Sequence, residues 1–256
     1  MDITAWMAAY VQAVERRFGS RVWLIGLQGS RARGEAEEGS DIDVVLILDR
    51  VEVGDLLAYS QVLDTLPNRE LVCGFVSGRE ELFAWEKSEL FQFCRDTVPI
   101  QGTLAPVLAR VGRADILRAV HTGVCAVYHQ CAHNLVHEKS AALLRESEKC
   151  AAFALRAIAY LRTGRYAARR EELLGLLTGE DRQVLAAGMA RGTDLSPRQL
   201  AQRAGGLLTW AAHWMGRLAG CQGQEEMSEI TLSCPGEICY TQDNPREEKE
   251  GGPTCG

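Results

Sequence analysis

Residues 41–48, DIDVVLIL, leave few choices of fold. The five aliphatic residues at 44–48 show no alternation of polar and apolar positions and are too few for a helix of their own, so they read as a strand covered on both faces. Such a strand needs helices above and below it, which points to an α/β arrangement. Two aspartates guard its entrance. Residues two apart on a strand point the same way, with Cα atoms about 6.5–7 Å apart, so Asp41 and Asp43 present their carboxylates to one spot. Hard oxygen donors of this kind suit Mg²⁺, which commonly takes one or two protein carboxylates and leaves its other positions to water and phosphate. The apolar run behind them holds the pair in place.

The neighbouring sequence supplies the layers. Residues 2–18 carry Ile3, Met7, Tyr10, Val14 and Phe18 at helical spacing, and Gly19 is placed to end the helix. Residues 21–27 (RVWLIGL) and 69–76 (RELVCGFV) read as further strands, and residues 97–101 as a fourth that Pro99 pushes to a sheet edge. Between them, residues 56–66 repeat apolar positions at helical intervals. The expectation is an α/β domain over residues 1–105, a small mixed sheet with flanking helices. An all-α helical bundle over residues 106–220 follows, broken at Gly164, Gly179 and residues 192–197.

Residues 221–256 hold eight acidic and two basic side chains, are rich in Gly, Pro, Glu and Ser, and read as a disordered acidic tail. Apart from that tail the formal charge of −6 vanishes, and a neutral body argues against a nucleic-acid partner, which needs a concentrated basic face. The first eighteen residues carry an acid at position 2 and interrupting charges, so they do not read as a signal peptide, and no uncharged stretch is long enough for a membrane. Nine cysteines without a secretion signal fit a reducing, cytoplasmic setting. Cys221, Cys234, Cys239 and Cys255 lack the paired spacing of a zinc module.

Upstream of the aspartates, Gly29 ends a strand and Ser30 is placed to cap a short helix whose N–H groups would form an anion site. A phosphate cradle and a divalent-metal clamp about a dozen residues apart are what phosphoryl or nucleotidyl transfer requires, because catalysis there consists mainly of positioning and charge neutralisation. The pattern GS, then roughly ten residues, then SDID and an apolar strand resembles the DNA polymerase β-like nucleotidyltransferase superfamily. The resemblance implies that Gly29 and Ser30 contact a nucleoside triphosphate, ATP in the first instance, and that Asp41 and Asp43 bind the divalent metal. Arg31, Arg33 and Ser40 take a secondary part in phosphate contact.

The same pattern has a third carboxylate on a neighbouring strand, for which Glu70 is the nearest candidate. Residues 148–166 resemble the helix that supplies a lysine to the triphosphate in antibiotic nucleotidyltransferases, which would make Lys149 that residue. Many such relatives continue into a helical domain similar to the HEPN family. The implied activity is Mg²⁺-dependent transfer of a nucleoside monophosphate to a hydroxyl of a small molecule, such as an aminoglycoside, or of a protein. Glu138, Glu146 and Glu148 each qualify as general base. The resemblance also admits a homodimer. It allows a second reading too: a degenerate domain acting as an antitoxin-like binding partner of a helical toxin or another subunit.

Two signals have plainer explanations. His121, Cys125, His129, His133 and His137 recur every fourth residue, and each such step advances about 40° around a helix, so no single metal reaches all of them. Trp210 and Trp214, one turn apart among leucines, are expected in a core rather than as a stacking platform.

Overall fold

The computed structural model describes residues 1–190 and 195–220 of the chain. The acidic tail expected at 221–256 lies outside the described residues, as do residues 192–194 of the break at 192–197.

Helix α1 (Ile3–Phe18) begins on an Asp2 cap, whose carboxylate accepts from the backbone N–H groups of Thr4 and Ala5, and stops at Gly19, where φ is +55°. Strands β1 (Val22–Leu27) and β2 (Ile42–Leu48) flank the five-residue helix α2 (Gly29–Arg33). Helix α3 (Val53–Asp64) leads to β3 (Val72–Gly78), after which α4 (Arg79–Ala84), α5 (Lys87–Asp96) and β4 (Val98–Gln101) complete the N-terminal half. The sheet order is β3-β2-β1-β4, parallel between β2 and β3 and antiparallel elsewhere. β4, with Pro99, lies at an edge as a missing ladder donor requires.

Central placement explains the composition of β2. Ile42, Val44, Leu46 and Leu48 enter a core with α1 and α3, while Val45 and Ile47 enter a second core with residues of α4 and α5. Each fully buried aliphatic side chain contributes roughly 1.5–3 kcal/mol, so this strand is the best-anchored element of the sheet. β3 starts later than its apolar pattern suggests. Asn68 adopts a left-handed conformation (φ +58°), and residues 69–71 coil into a 3₁₀ turn before pairing begins at Val72.

The second half is helical: α6 (Ala105–Leu108), α7 (Arg113–His133), α8 (Ala141–Thr163), α9 (Arg170–Leu176), α10 (Gly179–Met189) and α11 (Pro197–Gly220). Gly164 ends α8 in a left-handed conformation. α7, α8 and α11 surround one apolar core that contains Trp210 and Trp214, both buried, and that also takes in Phe91 from α5. Oδ1 of buried Asp181 accepts from both indoles, at 2.7 and 2.9 Å, while Oδ2 accepts from Arg162 at 2.6 Å. Among the described residues no helix is long and apolar enough to cross a membrane.

Further bonds tie the halves together around α5. Tyr166 donates to Asp96 (2.7 Å), Arg95 to the Tyr160 hydroxyl (3.0 Å), and Gln92 to the carbonyl of Phe153 (2.6 Å).

Candidate active site

A cleft of about 1300 Å³ lies between the sheet and the helical half. Its sheet side is formed by α2, the loop that follows it and the start of β2; its helical side is formed largely by one face of α8, with residues 169–171 and parts of α10 and α11. Asp41 and Asp43 both line it. Asp43 shares a strand face with Val45 and Ile47, but stands at the end of β2 where the cleft replaces the helical cover.

Burial, and then the nearby Asp41 carboxylate, raise the Asp43 carboxyl above its ordinary range, against the weaker pull of Arg33 and Arg31. Neither aspartate forms an ion pair with a described residue closely enough to neutralise it. Two carboxylates that line one cleft and repel one another are a suitable donor set for Mg²⁺, which would relieve that repulsion.

Gly29 is fitted to this carboxylate. Its φ of +71° suits glycine, and a Cβ built there would lie 1.8 Å from Asp43 Oδ2. The backbone N–H of Gln28 donates to the Asp43 carbonyl at 2.7 Å, which locks the start of α2 against β2. Ser30 lines the cleft but does not cap α2: Gln28 occupies the cap position, and Ser30 is the second helical residue. The helix also ends at Gly34 (φ +70°) rather than running on through the following glutamates.

The other residues singled out in the sequence divide. Arg33 and Ser40 line the cleft; Arg33 pairs with Glu35 at 2.9 Å, and the Ser40 hydroxyl accepts from the N–H of Glu37. Arg31 does not line the cleft. Its guanidinium donates to the carbonyls of Ser40 (2.5 Å) and Asp41 (3.0 Å), so it holds the strand entrance instead of facing phosphate. Glu70 is not brought to the aspartates either: it sits in the 3₁₀ turn ahead of β3 and is absent from the cleft lining. The residue in register with Asp43 on β3 is Cys73, which is exposed.

Across the cleft Lys149 faces in from α8 and pairs with Glu146 at 2.8 Å. More than half of each side chain is exposed, so that pair holds the lysine weakly. Of the three glutamates considered as base, Glu148 lines the cleft, and Glu138 and Glu146 do not. Burial raises the Glu148 carboxyl, opposed by Arg203, whose guanidinium lies 2.6 Å away.

Some residues of the cleft carry no motif in the sequence. Glu35 accepts from the backbone N–H of Arg170 at 2.8 Å, a bond across 135 positions of chain. Burial raises the Glu35 carboxyl, but this bond and Arg33 outweigh burial and leave it lowered. Arg156, seven residues beyond Lys149 and so on the same helical face, is 2% exposed, and its Nε has no hydrogen-bond partner. His129, His133 and His137 form a row of tilted rings, 6.2 and 4.9 Å between centroids, outside the cleft lining. No group of three or more His, Cys, Asp or Glu side chains among the described residues is arranged to hold a metal ion.

Residues 8–106 match the family model described as a nucleotidyltransferase domain. No curated protein matches the chain. Among solved structures it is similar to a spectinomycin adenyltransferase from Enterococcus faecialis, solved with ATP and spectinomycin. The TM-score is 0.54 at 11% identity, over 82% of this chain and 99% of the other, and the likeness is one of fold.

Proposed function

Because residues 8–106 form a nucleotidyltransferase domain, and the chain is thereby a transferase, we propose that it moves a nucleoside monophosphate from ATP to a hydroxyl of a small molecule. The observation that carries this reading is the seating of the Asp43 carboxylate against Gly29, beside Asp41, at the floor of a cleft whose opposite wall bears Lys149. The neighbour's complex with ATP and spectinomycin supports a nucleotide donor and a small acceptor. We take residues 1–105 as the catalytic domain, residues 106–220 as the wall that closes it, and the cytoplasm as its setting.

Asp41 and Asp43 would hold Mg²⁺, which when bound supplies positive charge to the phosphate oxygens. Gly29 and Ser30 bring the chain close to the triphosphate, and Lys149 leaves its exposed pairing with Glu146 to meet the outer phosphates. Arg31 fixes the carbonyls of Ser40 and Asp41, and so fixes where the carboxylates point. Glu148 takes the proton of the acceptor hydroxyl, a task suited to a carboxyl raised by burial. The freed oxygen forms a bond to the α-phosphorus as the bond from that phosphorus to the bridging oxygen breaks, and pyrophosphate leaves with the electron pair.

The test is transfer of label from α-labelled ATP, in the presence of Mg²⁺, to a panel of hydroxyl compounds that includes spectinomycin and kanamycin. Asp41→Asn and Asp43→Asn should each lower transfer by about 100-fold or more. Glu148→Gln should lower kcat while leaving nucleotide affinity within about twofold. Transfer indifferent to the aspartate changes, or no nucleotide binding at all, would overturn the proposal.

A further inference from the structure

Of the two phenylalanines that line the cleft, Phe153 is the exposed one and Phe93 is half-buried. The α8 face that looks into the cleft carries Arg145, Glu148, Lys149 and Arg156, yet in their midst stands Phe153, 36% exposed. An isolated exposed phenylalanine on an outer surface needs no explanation; one that lines a cleft among charged side chains, one helical turn from a lysine assigned to phosphate, does.

Its surroundings fix the ring. The Arg156 guanidinium sits 5.0 Å from the ring centroid and covers one side of it. That guanidinium is itself immobile, being 3% exposed, bonded to the Ala168 carbonyl at 2.8 Å and 3.9 Å from Asp96. Its Nε is buried without an acceptor, so the negative face of the phenyl ring is part of what compensates this cation. From the sheet side, Gln92 holds the Phe153 carbonyl at 2.6 Å. A ring backed by a fixed cation, with its carbonyl tethered and its free surface toward a cleft, has the form of a stacking platform.

We infer that Phe153 receives the nucleobase of the donor nucleotide. The inference rests on the nucleotide-transfer reading above. Lys149 precedes Phe153 by four residues, so the two side chains are neighbours on the helix about 6 Å apart along its axis. A nucleotide with its outer phosphates at Lys149 and its α-phosphate toward Asp43 reaches Phe153 by folding its base back across the cleft that all three residues line. Every base offers a π-face, so the platform binds purines more tightly through their larger area while excluding none.

The experiment compares Mg²⁺-ATP with Mg²⁺-tripolyphosphate, which carries the phosphates without a base, by calorimetry on the full chain. Phe153→Ala should weaken ATP roughly 10- to 100-fold, the range expected for loss of one stacked base, and leave tripolyphosphate within about twofold. Phe153→Trp should restore ATP affinity, and the new indole should be quenched by ATP and not by tripolyphosphate. Three results would overturn the inference. In one, the two ligands weaken equally in Phe153→Ala, which makes the ring part of the helical wall alone. In another, ATP is unaffected while acceptor KM rises, which gives the platform to the acceptor. In the third, ATP binds the unaltered chain no more tightly than tripolyphosphate. Failure of Mg²⁺-ATP itself to bind removes the nucleotide-transfer reading, and with it this inference.

Discussion

Asp43 illustrates how a functional residue sits against stability. Its carboxyl is raised by burial and by Asp41, so without metal the folded state holds the proton more tightly than the unfolded chain does, and stability grows as pH falls through that raised value. Asp43→Asn should therefore raise the melting temperature of the metal-free protein at neutral pH while lowering Mg²⁺-dependent transfer by about 100-fold or more. A melting temperature that falls would show that the carboxylate is held by interactions other than those described. In the unaltered protein the stabilisation given by Mg²⁺ should fade toward acid pH, since protons and metal compete for the same oxygens. Gly29→Ala tests the same contact from the other side. The left-handed backbone costs about 1–2 kcal/mol for a residue with a Cβ, and the methyl would strike Asp43, so both chemical denaturation midpoint and nucleotide affinity should drop. Asp41, Asp43 and Gly29 are legible in the sequence because strand alternation and a strand-ending glycine are local properties. Glu70 is not: whether residues 69–71 extend or coil depends on the left-handed Asn68, which no apolar pattern announces. Arg31 misleads for a related reason, since its target is two backbone carbonyls that carry no side-chain signature.

At the scale of elements, the helix α1 and the strands β1, β2 and β4 match their sequence, and the short helices α4 and α5 carry no pattern that marks them. α1 and β2 are found within a residue of where periodicity puts them, because each buries most of its apolar positions. α4 and α5 show less than two and three turns of pattern, and their positions come from packing on β3 and on the helical half rather than from propensity. α10 and α11 are joined by a polar centre that propensity does not reveal. Asp181 serves two indoles and Arg162, so Asp181→Ala would leave a half-buried cation and two buried N–H donors without this acceptor. That change should cost roughly 3–5 kcal/mol in urea unfolding, and Asp181→Asn less, because the amide oxygen keeps an acceptor. A weaker tie joins the turn before β1 to α3. Arg21 donates to Asp55, whose carboxyl is held down at about 2, chiefly by that bond. Its stabilising effect is present above the ordinary value of 3.8 and is lost as pH falls toward about 2. Acid titration of stability should show this loss, and Asp55→Asn should remove it.

The whole molecule is where the sequence is least informative, since the cleft gathers residues from positions 28 to 203. The two-part architecture follows from the change of periodicity near residue 105, but the bonds that set the spacing of the walls do not. Glu35 reaching the N–H of Arg170, and Tyr166 reaching Asp96, are contacts over 135 and 70 positions. Tyr166→Phe and Glu35→Gln should leave the fold intact and widen the cleft. Hydrogen exchange at residues 165–171 should rise several-fold, and KM for nucleotide should rise more than kcat falls. Unchanged exchange would show the walls to be held by apolar packing alone. That packing has its own implication, because Phe91 belongs to the sheet half by chain order and to the helical core by location. Scission of the backbone near position 105 would not liberate two independent globules. The first fragment would be left displaying an orphaned aromatic face prone to clumping, and the second a hole. Co-produced, the fragments should instead find one another and restore the cleft, and this would make the protein a natural starting point for a split reporter.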